Sequence, residues 1–198
     1  MHVADLHRRS VEGFVAQLDA LATVQADAWA RPTPCPEWDV RSLVNHIVYE
    51  DLWTVPLMEG ATVDEVGDRY EGDLLGDDPI GRARAACDAA MTAAASGIVA
   101  GRTVHLSFGD ASASEYAHQL AADHVIHGWD LAAALGADRS IDPDIVAACT
   151  EWFAEREAVY RQAGEIGPRP AEAGDPDDPQ DRLLAAFGRD PDWTPPGA

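Results

Sequence analysis

Cysteine and basic residues are scarce in this chain of 198 residues, and each scarcity excludes a class of protein. The three cysteines, Cys35, Cys87 and Cys149, are odd in number and far apart, so they form neither a disulfide framework nor a Cys-rich zinc module. We expect the three cysteines to be buried as small apolar residues, in a protein of a reducing compartment. The 14 Lys and Arg against 35 Asp and Glu give a net charge of −21, which repels phosphate backbones and anionic lipid. We therefore expect no nucleic-acid partner and no membrane partner.

Long apolar runs are absent as well. No segment approaches the ~20 residues of a membrane span, and the N-terminus lacks the apolar region of a signal peptide. A cytoplasmic location is the expectation that follows. The length and the 46% hydrophobic content are enough for one domain with a sizeable core.

Helical periodicity predominates along the chain, with proline and glycine marking the helix ends. We expect five helices. The first covers residues 4 to about 28, the second begins at the N-cap Asp39, and the third runs from Asp78-Pro79 to about Gly97. The fourth runs from Ser112 to Gly136, and the fifth runs from Asp142-Pro143 to Gly164 with Val159 buried. Residues 60 to 78 read as a surface loop. Arg102–Phe108 alternates polar and apolar residues, which predicts a short strand or an extended crossover between helices, ended by a Gly-Asp turn. Ser112 and Glu115 fit a capping box at the start of the fourth helix.

Two ionisable residues interrupt the apolar stripe of the predicted fourth helix. Asp123 and His127 are four residues apart, so their side chains lie one above the other and can converge on one point. A buried Asp is expensive unless it is paired or bound to a metal. The pair is therefore a candidate half-site for a divalent metal, and the alternative is a carboxylate–histidine hydrogen bond within the helix.

The predicted second helix also places a histidine among core residues. His46 shares a stripe with Leu43, Glu50 and Trp53. Together with Asp123 and His127 it would form a 2-His-1-carboxylate set, which leaves open positions as catalytic metals require. The alternative for His46 is a core histidine with an ordinary hydrogen bond.

Four further residues are candidates with weaker support. Glu50 lies one turn after His46 and could be a fourth ligand or a proton-transfer partner, or else a helix carboxylate paired with an arginine. His124 lies on the flank of the Asp123 stripe. It could support a metal ligand, act as a ligand itself or contact substrate, or else be a solvated or interhelical histidine. Glu115-x-x-His118 matches one copy of a di-iron motif, although the cap accounts for Glu115.

Cys35 follows two prolines near the start of the second helix. A thiol there could be reactive, but we favour a buried small residue beneath Trp38.

Three blocks of the sequence resemble a known family. Pro34–His46, His127–Ala132 and the blocks within Asp181–Pro191 resemble actinobacterial metal-binding proteins related to the N-terminal domain of mycothiol-dependent maleylpyruvate isomerase. This resemblance implies an all-α, DinB/YfiT-like four-helix bundle with an extra helix and an irregular C-terminal segment. We expect the bundle over residues 1–165, and a C-terminal extension over 166–198 docked on it within a single domain. The separate second domain of the isomerase is not expected within this chain.

The resemblance also implies a metal site. The family's histidine falls on His46, and its Glu-x3-His pair falls on Asp123 and His127, so the acid is one methylene shorter here. Zinc is the expected ion, with nickel or iron as alternatives. Mycothiol would be a thiol cosubstrate, and this thiol rather than Cys35 would attack a small electrophile.

Three hypotheses stay open from the sequence. The chain is a metal- and thiol-dependent S-transferase or isomerase, a non-catalytic metal- or ligand-binding module, or a metal-free interaction protein. A small-molecule thiol or electrophile is the expected partner, and relatives of this bundle class suggest a homodimer.

Overall fold

Helices make up almost all of the regular structure, which confirms the all-α prediction. The computed structural model describes residues 1–36, 38–170 and 177–196. In that part of the chain the elements are, in order, α1 (Val3–Thr23), α2 (Val40–Glu59), α3 (Val63–Val66), α4 (Pro79–Val99), β1 (Thr103–Leu106), β2 (Gly109–Ser112), α5 (Ala113–Leu135), α6 (Pro143–Phe153), α7 (Glu157–Ala163) and α8 (Pro179–Ala186). None of the helices described is long and apolar enough to cross a membrane.

Four long helices pack around one core. Helix α1 packs on α5, α5 on α2, α2 on α4, and α4 on α1, so they form a closed ring. Buried leucine, valine and isoleucine side chains from α1 and α2 meet alanines of α4, whose small size allows the helices to approach closely. The predicted N-cap Asp39 accepts a 2.8 Å hydrogen bond from Ser42 N at the start of α2.

Helix α5 lies at the centre of the molecule. Most of its residues are buried, because α1, α2 and α4 cover one side while α6 and other C-terminal residues cover the rest. A helix enclosed in this way has almost no face on which polar side chains can be solvated. The ionisable residues Asp123, His124, His127 and Asp130 therefore need partners within the protein, and these partners define the site described below.

One predicted boundary in the first half of the chain was wrong, and one predicted loop contains a short helix. The first helix ends at Thr23, whose hydroxyl donates to Ala20 O at 2.8 Å, and residues 26–30 form a separate 3-10 turn. The predicted loop over residues 60–78 contains the short helix α3. Thr62 and Glu65 form a capping box there, a local signal that the glycines and acids of this segment obscured.

The segment before α5 is a β-hairpin, so the predicted Gly-Asp turn was also wrong. Strand β1 pairs with β2 in antiparallel register, with Leu106 opposite Gly109, so the turn is Ser107-Phe108. Gly109 has φ of 127°, a conformation that favours glycine, and it begins the second strand. Ser112 caps α5 as expected, accepting from Glu115 N at 3.1 Å.

The predicted fifth helix is two helices, α6 and α7, separated at residues 154–156. Arg156 turns towards α5, where its Nε lies 2.7 Å from Glu115 Oε1, so the Glu115 carboxylate does not complete the predicted capping box. Val159, expected to be buried, is 65% exposed on the short helix α7.

The C-terminal helix α8 packs against α6. Leu183 and Leu184 are buried, and the ring of Phe187 stacks on Phe153 with centroids 3.9 Å apart. Residues 171–176 and 197–198 of the predicted extension lie outside the described residues, as does Glu37.

Candidate metal centre

The three predicted metal ligands lie together between α2 and α5. Asp123 is central: its Oδ2 lies 3.2 Å from His46 Nε2, and its Oδ1 lies 3.4 Å from His127 Nε2. One donor atom from each residue falls within 4.8 Å of the other two. Helix α5 supplies Asp123 and His127 from successive turns, and α2 supplies His46 from the facing helix.

The donor spacing fits a divalent ion. Metal–ligand bonds of about 2.1 Å in a tetrahedral arrangement place neighbouring donors roughly 3.4 Å apart. The separations of 3.2 Å to Oδ2 and 3.4 Å to Oδ1 of Asp123 are close to that spacing, with one histidine at each carboxylate oxygen. Two imidazole nitrogens and one carboxylate suit zinc, nickel or iron, and three protein ligands leave at least one position open.

A second carboxylate orients His127. Asp130, fully buried, has Oδ2 3.0 Å from Nδ1 of His127. An ionised carboxylate only accepts hydrogen bonds, so Nδ1 carries the proton. In a neutral ring the Nε2 lone pair then faces Asp123, as in carboxylate–histidine–metal arrangements.

The carboxylates and imidazoles of the site stabilise each other's charged forms. Burial alone would lower the pKa of His127, but Asp123 and the hydrogen bond to Asp130 raise this pKa well above its usual value. The two histidines likewise hold the pKa of Asp123 well below its usual range, despite the opposing effect of burial. A divalent cation would compete with the extra proton on His127 for the same pocket of negative charge.

Asp130 is in turn held by an arginine from the C-terminal segment. Arg189 Nη2 lies 2.8 Å from Asp130 Oδ2, and its Nε lies 3.0 Å from Oδ1, so the pairing is bidentate. The same Nη2 is 2.8 Å from Cys35 Sγ. Burial would lower the pKa of Arg189, but Asp130 raises it, so the guanidinium stays charged.

Cys35 therefore belongs to this polar network, and its expected role as a small apolar residue beneath Trp38 was wrong. Its Sγ lies 3.4 Å from Asp130 Oδ2 and 3.9 Å from His127 Nδ1. Neither Asp130 nor Arg189 was identified from the sequence. Asp130 follows His127 by three residues, which places both on one helix face and could have revealed the pair.

Trp38 packs on the two histidines of the cluster, and a groove begins at Trp38 and His46. The Trp38 ring centroid lies 4.8 Å from that of His46 and 5.5 Å from that of His127. The side chains of His46 and Asp123 are still 25% and 30% exposed, so small molecules can reach them. The groove has a volume of about 510 Å³ and is lined by polar and aromatic residues: Trp38, Arg41, Ser42, Asn45, His46, Tyr49, Tyr70, Glu71, Gly72 and Asp73.

Glu50 lies in the electrostatic field of the cluster. Burial, reinforced by the charge of Asp123 and opposed by His46, raises the pKa of Glu50 to about 7. The group of donors that could converge on one ion contains His46, Asp123 and His127 but not Glu50, within the residues described. Glu50 is therefore not among the donors that the structure brings together, and its proton-transfer role stays a prediction.

His124 makes its contacts elsewhere. One residue beyond Asp123, it is turned about 100° around the helix. Its Nδ1 donates to Leu120 O at 2.8 Å, and its Nε2 lies 3.3 Å from Asp51 Oδ1 in the interior. These contacts make it an interhelical histidine, the alternative that the sequence left open.

Glu115 and His118, the single copy of a di-iron motif, have structural partners. Glu115 pairs with Arg156 and accepts from Trp152 Nε1 at 3.2 Å. The His118 ring stacks on Trp152 with an interplanar angle of 4°. Both residues join α5 to α6.

The fold and the site together define a helical domain with a three-donor cluster between facing helices. Residues 11–132 match the family described as the mycothiol maleylpyruvate isomerase N-terminal domain, and the chain belongs to this family. The matched region contains His46, Asp123 and His127, whereas Arg189 lies beyond it.

Two relatives come from Mycobacterium tuberculosis. The uncharacterized proteins MT0763 and Rv0738 are each 29% identical to this chain over 197 residues, covering 92% of this chain and 95% of theirs. No solved structure matches the chain.

Proposed function

We propose that this chain binds one divalent metal ion, with zinc the best match, through His46, Asp123 and His127, and that it is a thiol-dependent S-transferase or isomerase. The observation that carries this proposal is the pair of separations around Asp123, 3.2 Å and 3.4 Å to two imidazole nitrogens, in a cluster that is still partly exposed. Mycothiol is the proposed thiol, in keeping with the family description.

The ion would lower the pKa of a thiol that approaches its open position, so that the thiol reacts as a thiolate near neutral pH. Glu50, one turn after His46 on α2, is the proposed acceptor of the thiol proton, which it would later return. Trp38 shields His46 and His127 from water on one side. The groove beyond His46 has a polar lining, in which Arg41 is paired with Asp73 and Asn45 bonds to the backbone of Gly72 and Leu74. We propose that a polar cosubstrate binds there, beside Tyr49.

Elemental mass spectrometry of the purified, untagged chain tests the metal part of this proposal. We expect His46→Ala to lose about one equivalent of metal relative to the wild type. His105→Ala is the matched control, because His105 also pairs with an aspartate, Asp110 at 2.7 Å, but lies on the hairpin. Equal metal content in His46→Ala and the wild type would overturn the assignment.

Turnover is tested separately, by supplying mycothiol and a panel of small electrophiles to the metal-loaded chain. We expect adduct formation or isomerisation that needs both the metal and the thiol, and that His46→Ala abolishes. Glu50→Gln should lower the rate while leaving the metal content unchanged. Metal binding without thiol-dependent turnover would assign the chain to the non-catalytic modules instead.

A further inference from the structure

A second cluster of metal-ligating side chains is enclosed within the ring of helices. It consists of Asp51 from α2, Cys87 from α4 and His124 from α5, and none of the three is exposed to solvent. One ligand atom from each residue lies within 4.8 Å of the other two. The cluster shares no residue with the proposed site at His46, Asp123 and His127.

Cys87 and His124 both face Asp51, but three polar atoms at the centre of this cluster lack a hydrogen bond of good geometry. Both carboxylate oxygens of Asp51 and Nε2 of His124 lack a hydrogen-bond partner of good geometry among the described residues, although Nε2 lies 3.3 Å from Asp51 Oδ1. Buried charges persist in proteins when they are paired with good geometry or coordinate a metal. This arrangement of donors converging on a buried point favours a ligand between them.

The protonation of His124 suits coordination. Its Nδ1 lies 2.8 Å from Leu120 O, and a carbonyl only accepts, so Nδ1 carries the proton. In the neutral ring, Nε2 then presents its lone pair towards Asp51. This is the tautomer that a metal-binding histidine adopts when its other nitrogen donates to a backbone carbonyl.

We propose that Asp51, Cys87 and His124 hold a second divalent transition-metal ion in a closed, structural site. One sulfur, one nitrogen and one oxygen donor match zinc rather than calcium or magnesium, which prefer oxygen alone. When the ion binds, the Cys87 S–H bond breaks, its proton passes to solvent, and a sulfur–metal bond forms. An ionised Asp51, a Cys87 thiolate and a neutral His124 then balance the two positive charges of the ion.

His7 of α1 is the candidate for the fourth donor that structural zinc sites normally have. It is buried, its Nε2 lacks a hydrogen-bond partner among the described residues, and its ring centroid lies 6.0 Å from that of His124. His7 lies outside the group of donor atoms that fall within 4.8 Å of one another, so its ring would have to move towards the ion; each of the four long helices would then contribute one ligand. The ion would thus tie together the helices that form the ring.

Metal content in a variant without the first site tests the proposal independently of the proposed function. The chain carrying His46→Ala and His127→Ala is refolded with zinc, dialysed and measured by elemental mass spectrometry. We expect about one equivalent to remain, and Cys87→Ser in the same background to remove it. Cys149→Ser, which alters a cysteine buried in a different part of the core, should leave it bound. No zinc in the folded double variant would overturn the proposal, leaving Asp51 and His124 as a metal-free pair.

Cobalt substitution gives a spectroscopic readout in the otherwise intact protein. A thiolate ligand produces a sulfur-to-cobalt charge-transfer band, which the donors of the first site cannot supply. We expect this band in the wild-type chain refolded with Co²⁺ and in Cys35→Ser, because Cys35 is the thiol near His127. If Cys87→Ser fails to fold, the Cys35→Ser variant gives the answer. A sulfur-to-cobalt band in that variant supports the site at Asp51, Cys87 and His124, and the absence of the band overturns it.

Discussion

Asp130 Oδ2 accepts a hydrogen bond from Nδ1 of His127, three residues earlier on α5, across 3.0 Å. This contact fixes which imidazole nitrogen faces Asp123, so the proposed metal site depends on a residue that would not touch the ion. Arg189 holds the same carboxylate from the C-terminal segment. Arg189, from the C-terminal segment, therefore holds Asp130 in place, and Asp130 in turn orients the ring of His127.

We predict that Asp130→Asn weakens metal binding about 10- to 100-fold, because the amide no longer fixes the tautomer or the basicity of His127. Competition against a chelator of known affinity measures the change. Asp138→Asn is the matched control, since Asp138 is exposed in the loop after α5 and its side chain caps Ser140. An affinity equal to that of the wild type would show that Asp130 serves only the Arg189 pair.

Arg189→Ala should be strongly destabilising, because it leaves the fully buried Asp130 without its cation. Removing one partner of a buried ion pair costs about 3 kcal/mol. Urea unfolding at neutral pH measures the loss. Arg8→Ala provides the comparison: Arg8 pairs with Glu12 on the surface with half of its side chain exposed, and its removal should cost at most about 0.5 kcal/mol. Similar losses in the two variants would contradict a structural role for the Arg189 pair.

The sequence predicted the three donors that the structure brings together, but not the residues that contact them from behind, for a physical reason. Asp123 and His127 are linked by helical periodicity, and His46 could be added because it interrupts an apolar stripe on another helix. Arg189 reaches Asp130 across 59 positions of the chain, and only the packing of the C-terminal segment determines that contact. No local pattern encodes it.

In the fold, too, features that depend on neighbouring residues were predicted, and features that depend on distant contacts were missed. Caps such as Asp39 and Ser112 were predicted because they bond within three residues. The break between α6 and α7 was missed because Arg156 there pairs with Glu115 of α5, a contact that periodicity in a single helix cannot indicate.

Glu115 should contribute to the fall of stability in acid. Burial would raise its pKa, but hydrogen bonds from Arg156 and Trp152 outweigh this effect and lower the pKa below its ordinary value of 4.5. The unfolded chain then binds more protons than the folded one around and below that value, so this contribution is present at neutral pH and is lost as the pH falls through the folded pKa.

We therefore predict that Glu115→Gln lowers the free energy of unfolding by about 1 kcal/mol at pH 7 and makes its decline below about pH 5 less steep. Chemical denaturation at a series of pH values measures both effects. Glu12→Gln, which alters a helix carboxylate paired with Arg8 on the surface, controls for the loss of one charge. Parallel acid profiles for Glu115→Gln and the wild type would exclude the proposed linkage.

The cysteines should differ sharply in their reactivity towards a thiol reagent. Cys35 is partly exposed, whereas Cys87 and Cys149 are buried, and burial raises the pKa of Cys149 to about 12. Because the thiolate is the reactive form and the reagent must also reach it, we expect one thiol per native chain to react rapidly and all three to react in denaturant. Cys35→Ser should abolish the rapid phase, and Cys149→Ser should leave it unchanged. A rapid phase that survives Cys35→Ser would mean that the interior opens readily, in conflict with the full burial of Cys87 on α4.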